Sequence, residues 1–508
     1  MTPAERLAPF VTNLDRPVYA LHGLPPEVVA VLFAQVSRSP AGFRENLLKL
    51  MDEDGLPAPA AQAGFDQAKA SAFHEKWVLG YGHSSVAEHA DLHFAVEGLS
   101  ILAAKALEDS RLAAFTEKSS RYQVFDLDHF HWPQEWCGAP QEEQVRRLVG
   151  DLFETYGRFY REIRAELEQE RERPAGLPAR AWQQTLHAAA CDTTRYLLPA
   201  GARTSLGLSC NARSAAHLIR KLRAHALQEL RELGDRLEEE GRRITPVLLK
   251  HARPAAWQAG LEERLDALLP SVEPAESDPP RVRLLEWDDQ AAVRVVADWL
   301  VQRRGVGVGE ARSRAEELGV AGRATLLHAV LDSLGEHEVP PRAFEQVQLS
   351  VEFCLDYGAF RDLQRHRLLT PTVPLLGCRW GWELPAGLLG KRREESEQLL
   401  ERAAGLWRDL STGHAAAAAY LVPMAFRQRF VLRMNLREAE HLIRLRSGVA
   451  GHPSYRSAAQ ELHTQLSRAL PELAGFLRVH HEPAEWAREG EQRRAELRRP
   501  ALGGGETA

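Results

Sequence analysis

Apolar residues along this chain recur mostly three and four apart, the spacing of one helix face. Leu24-Pro25-Pro26-Glu27 opens such a pattern, which runs to Val36, with proline suited to an early helix position. The glycine-rich stretch Gly80–Ser85 reads as a loop, with Ser85 capping a helix that starts at Val86 and carries Glu88 and His89. Phe94, Ala95, Leu99, Leu102, Ala103 and Ala106 then predict a buried helix over Leu92–Leu107. The polar stretch Asp109–Tyr122 reads as a loop leaving it. A loop bearing Trp and His leads into a charged helix from Glu142 to about Glu172, and Asn211–Glu240 predicts another long helix.

Prolines and acids mark 253–280 as a linker. Val282–Trp287 reads as a short strand, followed by helices over Gln290–Gln302 and Glu310–Leu318. The glycines at 305, 307 and 309 follow a helix rather than a strand, which excludes a dinucleotide-binding turn. The apolar helical run Phe353–Leu363 ends on Gln364-Arg365-His366-Arg367, where fork-shaped donors gather at one point. Residues 486–508 are expected to form a disordered tail.

Composition narrows the class. The 508 residues leave room for about three domains. A net charge of −6 leaves no basic footprint for nucleic acid or a membrane surface. Five scattered cysteines without paired spacing argue against a disulfide framework and for a reducing cytosol. No window has the length of a signal core or a membrane span, so the expected location is the cytoplasm. His129, His131, His480 and His481 lack the partners at helical spacing that zinc needs, and no metal site is expected.

The chain also repeats itself. Asn211–Arg220 and Asn435–Arg444 share seven of ten residues at an offset of 224, and Tyr196–Pro199 falls on Tyr420–Pro423. Upstream, Glu88 pairs with Glu345 and Arg121 with Gly377, at offsets of 257 and 256. The first copy therefore carries an insertion near 126–180. The expected division is a first repeat within 1–252 that includes an N-terminal extension, a linker at 253–280, and a second repeat at 281–485.

Taken together, these blocks resemble the flavin-dependent thymidylate synthases, the thymidylate synthase complementing family. Its pattern is Arg-His-Arg followed by Ser, Asn-Glu, Ser and Arg-Tyr, with a Glu-His pair upstream and an Asn-x-Arg helix downstream that ends in Leu-Arg. The second copy keeps Arg365, His366 and Arg367 but has Val373, Leu375 and Gly377 where the family has Glu, Ser and Arg. The first copy has Asp109 and Ser110 for Arg-His, yet keeps Arg111, Glu117, Ser119, Arg121 and Tyr122. Glu88-His89 and Arg195 fit in the first copy; their counterparts are Glu345-Gln346 and Ala419. Asn435, Arg437, His441 and Arg446 fit in the second copy; the first has Asn211, Arg213 and His217 but Leu222 at the late arginine.

The resemblance implies a helix-rich α+β fold of two tandem domains, each with a small mixed or antiparallel sheet packed by long helices. It implies a reductive methylation of dUMP to dTMP with FAD, methylenetetrahydrofolate and NADPH, and no enzyme nucleophile. It assigns Arg365, His366, Arg367, His89, Asn211, Arg213, Asn435, Arg437 and His441 to the flavin. It assigns Glu117, Ser119, Ser120, Arg121, Arg195 and Arg446 to the nucleotide. Family members are tetramers with sites between subunits, so a homodimer of this fused chain would mimic one. Two other readings keep the resemblance: a non-catalytic flavin- or nucleotide-binding descendant with a regulatory or scaffold role, and a flavoenzyme with another substrate.

Overall fold

The computed structural model describes residues 2–36, 39–54, 84–250, 252–254, 257–258, 260–270, 272, 276–335 and 338–481. The tail from 486 and residues Gly80–His83 lie outside them. The chain divides into two compact units.

The first unit comprises Met1–Leu99, Ala106–Lys118 and Thr204–Ser271. Helices α1 (Pro3–Leu7), α2 (Pro26–Val36) and α3 (Phe43–Asp54) form a small core around Phe10, Leu32 and Leu47. Buried Glu27 on α2 accepts the Val247 amide at 3.2 Å and ties this segment to the end of the unit. A 3-10 turn, Ser84–His89, stands where a helix from Val86 was expected. The three-stranded sheet has the order β1-β3-β2, with β1 Asp91–Ser100, β2 Ala113–Glu117 and β3 Arg203–Asn211. β2 runs antiparallel to β3, with Ala113 opposite Cys210 and Glu117 opposite Leu206.

Three further expectations fail here. Leu92–Ser100 is strand, and only Ile101–Glu108 (α4) is helix. Leu92, Phe94 and Val96 face inward while Asp91, His93, Ala95 and Glu97 are exposed, so period two wins over a helical spacing that the same residues also satisfy. Ala113–Glu117, read as loop, is an edge strand, its exposed alternate residues hiding the signal. The long helix expected over Asn211–Glu240 is two, α7 (Ala212–Arg223) and α8 (Gln228–Ile244), turned where His225 Nδ1 accepts the Leu227 amide at 3.1 Å; the intervening α5 (Glu142–Glu170) and α6 (Ala179–Thr194) belong to the other unit. Within the Pro-rich stretch lies α9, Leu261–Leu268.

The second unit comprises Ser100–Lys105, Ser119–Arg203 and Val272–Ala508. Its sheet has the order β4-β5-β7-β6, all antiparallel: β4 Val282–Glu286, β5 Gln348–Asp356, β6 Thr370–Thr372, β7 Arg427–Asn435. All of β5 beyond its first residue is buried, and Phe353 stacks on Phe430 across the ladder at 5.5 Å. Phe353–Asp356 is therefore the end of a strand, and only Tyr357–Gln364 (α13) is the helix read there. The earlier helices α10 (Ala291–Arg304) and α11 (Val308–Glu317) follow the expected pattern, with Gly305 in the left-handed region closing α10, and α12 (Gly319–Leu331) follows where no helix was expected.

Long helices cover the rest: α5 Glu142–Glu170, α6 Ala179–Thr194, α14 Gly390–Ala418, α15 Leu436–Ser447 and α16 Pro453–Ala469. α5 and α14 are laced by Arg402–Asp151 at 2.7 Å and Arg392–Glu162 at 3.0 Å. Element order repeats: 3-10 turn, strand, helix, short strand, long helix, 3-10 turn, strand, capped helix, helix. The first copy has two long helices, α5 and α6, where the second has α14 alone.

Candidate functional site

Tight local turns bring the arginines in. Ser119 Oγ accepts the Arg121 amide at 3.2 Å, a tight turn in the second unit from which the Arg121 side chain reaches Asp192. Its guanidinium grips Asp192 at both carboxylate oxygens, Nε to Oδ1 at 2.8 Å and Nη2 to Oδ2 at 3.2 Å. Nη1 donates to Tyr455 Oη at 2.7 Å, and Nη2 also to the Ala450 carbonyl at 3.2 Å. Burial opposes the charge on Arg121, but Asp192, Tyr455 and Asp362 more than offset it, and the guanidinium is held charged. Burial conversely pushes the Asp192 carboxyl above its usual range.

Asp192 lies in the last turn of α6, and one step past that helix the 3-10 turn Arg195–Leu197 aims Arg195 inward. Arg195 is only 3 % exposed. Its Nη1 lies 3.7 Å from Asp362 Oδ2, while Nε and Nη2 have no hydrogen-bond partner among the described residues. Gly358 permits this approach: a Cβ there would sit 3.0 Å from Arg195 Nη2 and 3.1 Å from Asp356 Oδ1.

Asp362, on α13, is the hub. Burial pushes its carboxyl up, yet Arg195, Arg121, Arg365 and Arg446 together hold it below the usual range. Just past α13, His366 is 5 % exposed with both ring nitrogens engaged. Nδ1 lies 2.8 Å from Glu438 Oε1, and Nε2 accepts from Arg446 Nε at 2.9 Å. Burial, then Arg446 and His441, hold His366 well below its ordinary pKa, so the ring is neutral. Burial also lowers Arg446, which Asp362 and Tyr455 counter. The Tyr455 ring lies 5.6 Å from the Cζ atoms of both Arg121 and Arg446.

The structure thus brings Arg121, Arg195, His366 and Arg446 around Asp362 and Tyr455, with the Arg365 charge acting on Asp362 from an exposed position. Ser120 is buried in the turn, and Arg367 is exposed beside His366. The exposed His441 stacks edge-on to His366 at 5.2 Å. Asn435 caps α15, accepting the Glu438 amide at 2.8 Å, and Arg437 pairs with Glu345. The remaining expected residues sit in the first unit. Asn211 caps α7, Arg213 pairs with Glu88, and Glu117 ends β2. His89 packs edge-on to Phe33 at 4.8 Å and lines a cavity of about 640 Å³ with Tyr19, Phe43, Asp91 and His93.

Four residues escaped the sequence reading: Asp192, Asp362, Glu438 and Tyr455. Both aspartates stand three residues ahead of a site arginine, one helical turn, and Glu438 stands three after a capping asparagine. Those spacings carried the signal; nothing in the sequence marked Tyr455.

One family model, described as thymidylate synthase complementing protein, matches residues 23–247 and 382–472. Arg121, Arg195, Glu438, Arg446 and Tyr455 fall inside these segments; Asp362 and Arg365–Arg367 fall between them. A UPF0159 protein of Chlamydia pneumoniae is 32 % identical over 488 residues, covering 92 % of this chain and 92 % of its own. A UPF0159 protein of Thermoplasma acidophilum is 26 % identical over 448 residues, covering 81 % of this chain and 89 % of its own. A flavin-dependent thymidylate synthase of Clostridium tetani is 25 % identical over 239 residues. That match takes 47 % of this chain and 86 % of the relative, as expected when one copy of a fused pair is compared with a single-copy protein.

Proposed function

We infer that this chain, which belongs to the thymidylate synthase complementing protein family, reductively methylates dUMP to dTMP. The balance is dUMP, methylenetetrahydrofolate, NADPH and a proton giving dTMP, tetrahydrofolate and NADP⁺. A relative named as a flavin-dependent thymidylate synthase supports this reading.

The observation that carries it is Arg195: a buried guanidinium with two nitrogens that find no partner among the described residues, set among three further arginines. Arg121, Arg195, Arg365 and Arg446 all act on buried Asp362, with the carboxyls of Asp192 and Asp356 among them. A phosphate monoester carries about −1.5 to −2 at pH 7 and accepts hydrogen bonds, so a nucleoside monophosphate suits the open donors of Arg195. Arg195 and Arg121 are the phosphate donors in this reading, and Arg446 meets the uracil edge.

The donor set also suits a flavin. Arg365 and Arg367 are exposed on either side of buried His366, and paired guanidinium forks match a diphosphate. When bound, the flavin supplies the hydride that reduces the transferred carbon to a methyl group. Arg365 and Arg367 would hold it, whereas His366, engaged at both nitrogens, orients Arg446. Pairing with a second copy of the chain would give the assembly the family's four domains.

Expression in a thymidine-requiring strain tests the reading. Growth without thymidine is the expected result. Soluble, flavin-loaded protein that fails to support growth overturns it in favour of a non-catalytic descendant or another substrate.

A further inference from the structure

We propose that Glu438 is a positioning residue that acts through His366 to fix the orientation of Arg446. The proposal rests on the reading of Arg446 as the group that meets the base.

Hydrogen-bond chemistry fixes the proton on His366. Arginine is donor only, so the Arg446 Nε–H that meets His366 Nε2 at 2.9 Å requires a lone pair there. A neutral imidazole with Nε2 unprotonated carries its proton on Nδ1, and Nδ1 lies 2.8 Å from Glu438 Oε1. The chain of donors runs in one direction: Arg446 to His366, His366 to Glu438. Glu438 is itself immobilised, because its amide is held by Asn435 Oδ1 in the first turn of α15 and its side chain is buried. Pinning Nε of a planar guanidinium fixes the plane of the whole fork. The Arg446 fork is then presented beside Tyr455 in one orientation, and a planar base edge that offers carbonyl acceptors meets it without an ordering cost.

The groups facing Glu438 agree with this arrangement. His366 comes from the segment after α13, and Arg437, His441 and Arg446 come from its own helix. Arg437 is turned toward Glu345 in the 3-10 turn Arg342–Gln346, while the Glu438 carboxylate meets His366 Nδ1.

The chain contains its own control. At the repeat offsets, His366 corresponds to Ser110, Glu438 to Ser214 and Arg446 to Leu222. The first copy keeps the capping asparagine and the arginine after it, but none of these three. The trio is present or absent as a set, as expected if each member serves the others.

The test uses the full chain and two variants. Glu438→Ser installs the residue that the first copy holds at this helix position, and Glu438→Gln keeps an acceptor for Nδ1–H. Calorimetry with dUMP and with inorganic phosphate reads the two ends of the site separately. Glu438→Ser is expected to weaken dUMP about tenfold, the size of one charge-assisted hydrogen bond, and to leave phosphate unchanged. Glu438→Gln is expected to stay close to the parent. Equal losses for dUMP and phosphate, or an unchanged dUMP affinity in Glu438→Ser, overturn the proposal. Nitrogen-15 spectra of labelled histidine read the His366 tautomer independently of any ligand. A single Nδ1–H form in the parent that becomes mixed in Glu438→Ser supports the relay, and the same form in both overturns it. Parent protein that binds neither probe overturns the functional reading instead, and the tautomer spectra still decide the relay.

Discussion

Helices α7 and α15 hold the same place in the two repeats. Each follows a strand that ends on asparagine, and each takes that asparagine as its cap. Each sends the arginine two residues on to a glutamate in the 3-10 turn that opens its repeat, Arg213 to Glu88 and Arg437 to Glu345. What the repeats share is therefore bracing: a satisfied helix end and an ion pair holding the turn to the helix. What they do not share is the site. The second copy has His366, Glu438 and Arg446 where the first has Ser110, Ser214 and Leu222. The first has Arg121, Asp192 and Arg195 where the second has Gly377, Ala416 and Ala419. The residues that differ are the ones that meet in the second unit. After duplication, a frame can be kept twice while each half of a charged site needs keeping only once.

The comparison is broken most severely at position 377. Writing the first copy's arginine there cannot restore a second cradle, because the space is filled: a Cβ on Gly377 would lie 2.5 Å from Trp407 Cζ2. Gly377→Arg must expel that ring from α14 or strain the backbone. The expected cost is about 3 kcal/mol or more, read as a lower denaturant midpoint, with no gain in dUMP stoichiometry. A stable variant that binds a second equivalent of dUMP would refute the one-cradle view.

Arg446→Leu makes α15 resemble α7 at the position that matters most. Leucine can fill the space, so folding should survive, while the base loses its fork. The expected loss is about a hundredfold in kcat/KM, roughly 3 kcal/mol of transition-state stabilisation, with inorganic phosphate still bound.

Arg121→Lys probes the other half of the site more gently. Charge is retained, but the fork that spans Asp192, Tyr455 and Ala450 is lost. The expected weakening of dUMP is about tenfold, with flavin affinity unchanged. Arg365→Ala should do the reverse, and losses of both ligands in both variants would point to unfolding.

Much of this could be read from the chain itself. The repeat was visible because capped helices keep their first turn, and Arg121, Arg195, Arg365, His366 and Arg446 were placed by motif spacing. Strands were harder: the inward residues of Leu92–Ser100 also satisfy a helical period, and β2 is a short edge. The acids were legible only as spacings. Which carboxylate faces which arginine depends on contacts such as Arg121 with Tyr455, 334 positions apart. No local pattern encodes those. The resemblance assigns His366 to the flavin; the structure adds that the ring is buried past the end of α13 with Nδ1 on Glu438, a contact that no local pattern encodes.

The smallest effect separates the two buried acids that hold the second copy's half of the site. Burial raises the Glu438 carboxyl to about 7, against the pull of His441, Arg446 and Arg437. In an unfolded chain a glutamate titrates at about 4.3. Below that value both states keep the proton, and Glu438 has no effect on stability. Between the two values folding takes up a proton, so stability falls as pH rises, and above about 7 the full cost is present. Asp362 runs the other way. Its carboxyl is held below the usual range by Arg195, Arg121, Arg365 and Arg446 despite burial, so its contribution is complete at neutral pH and is lost in acid. Glu438→Gln removes the first dependence and leaves the second. Its thermal midpoint should exceed the parent's by a few degrees at about pH 8 and converge with it at about pH 4, while both still lose stability in stronger acid. Identical midpoints across that range would mean that the Glu438 charge is held at no cost, and that only its hydrogen bond to His366 distinguishes this helix from its counterpart in the first copy.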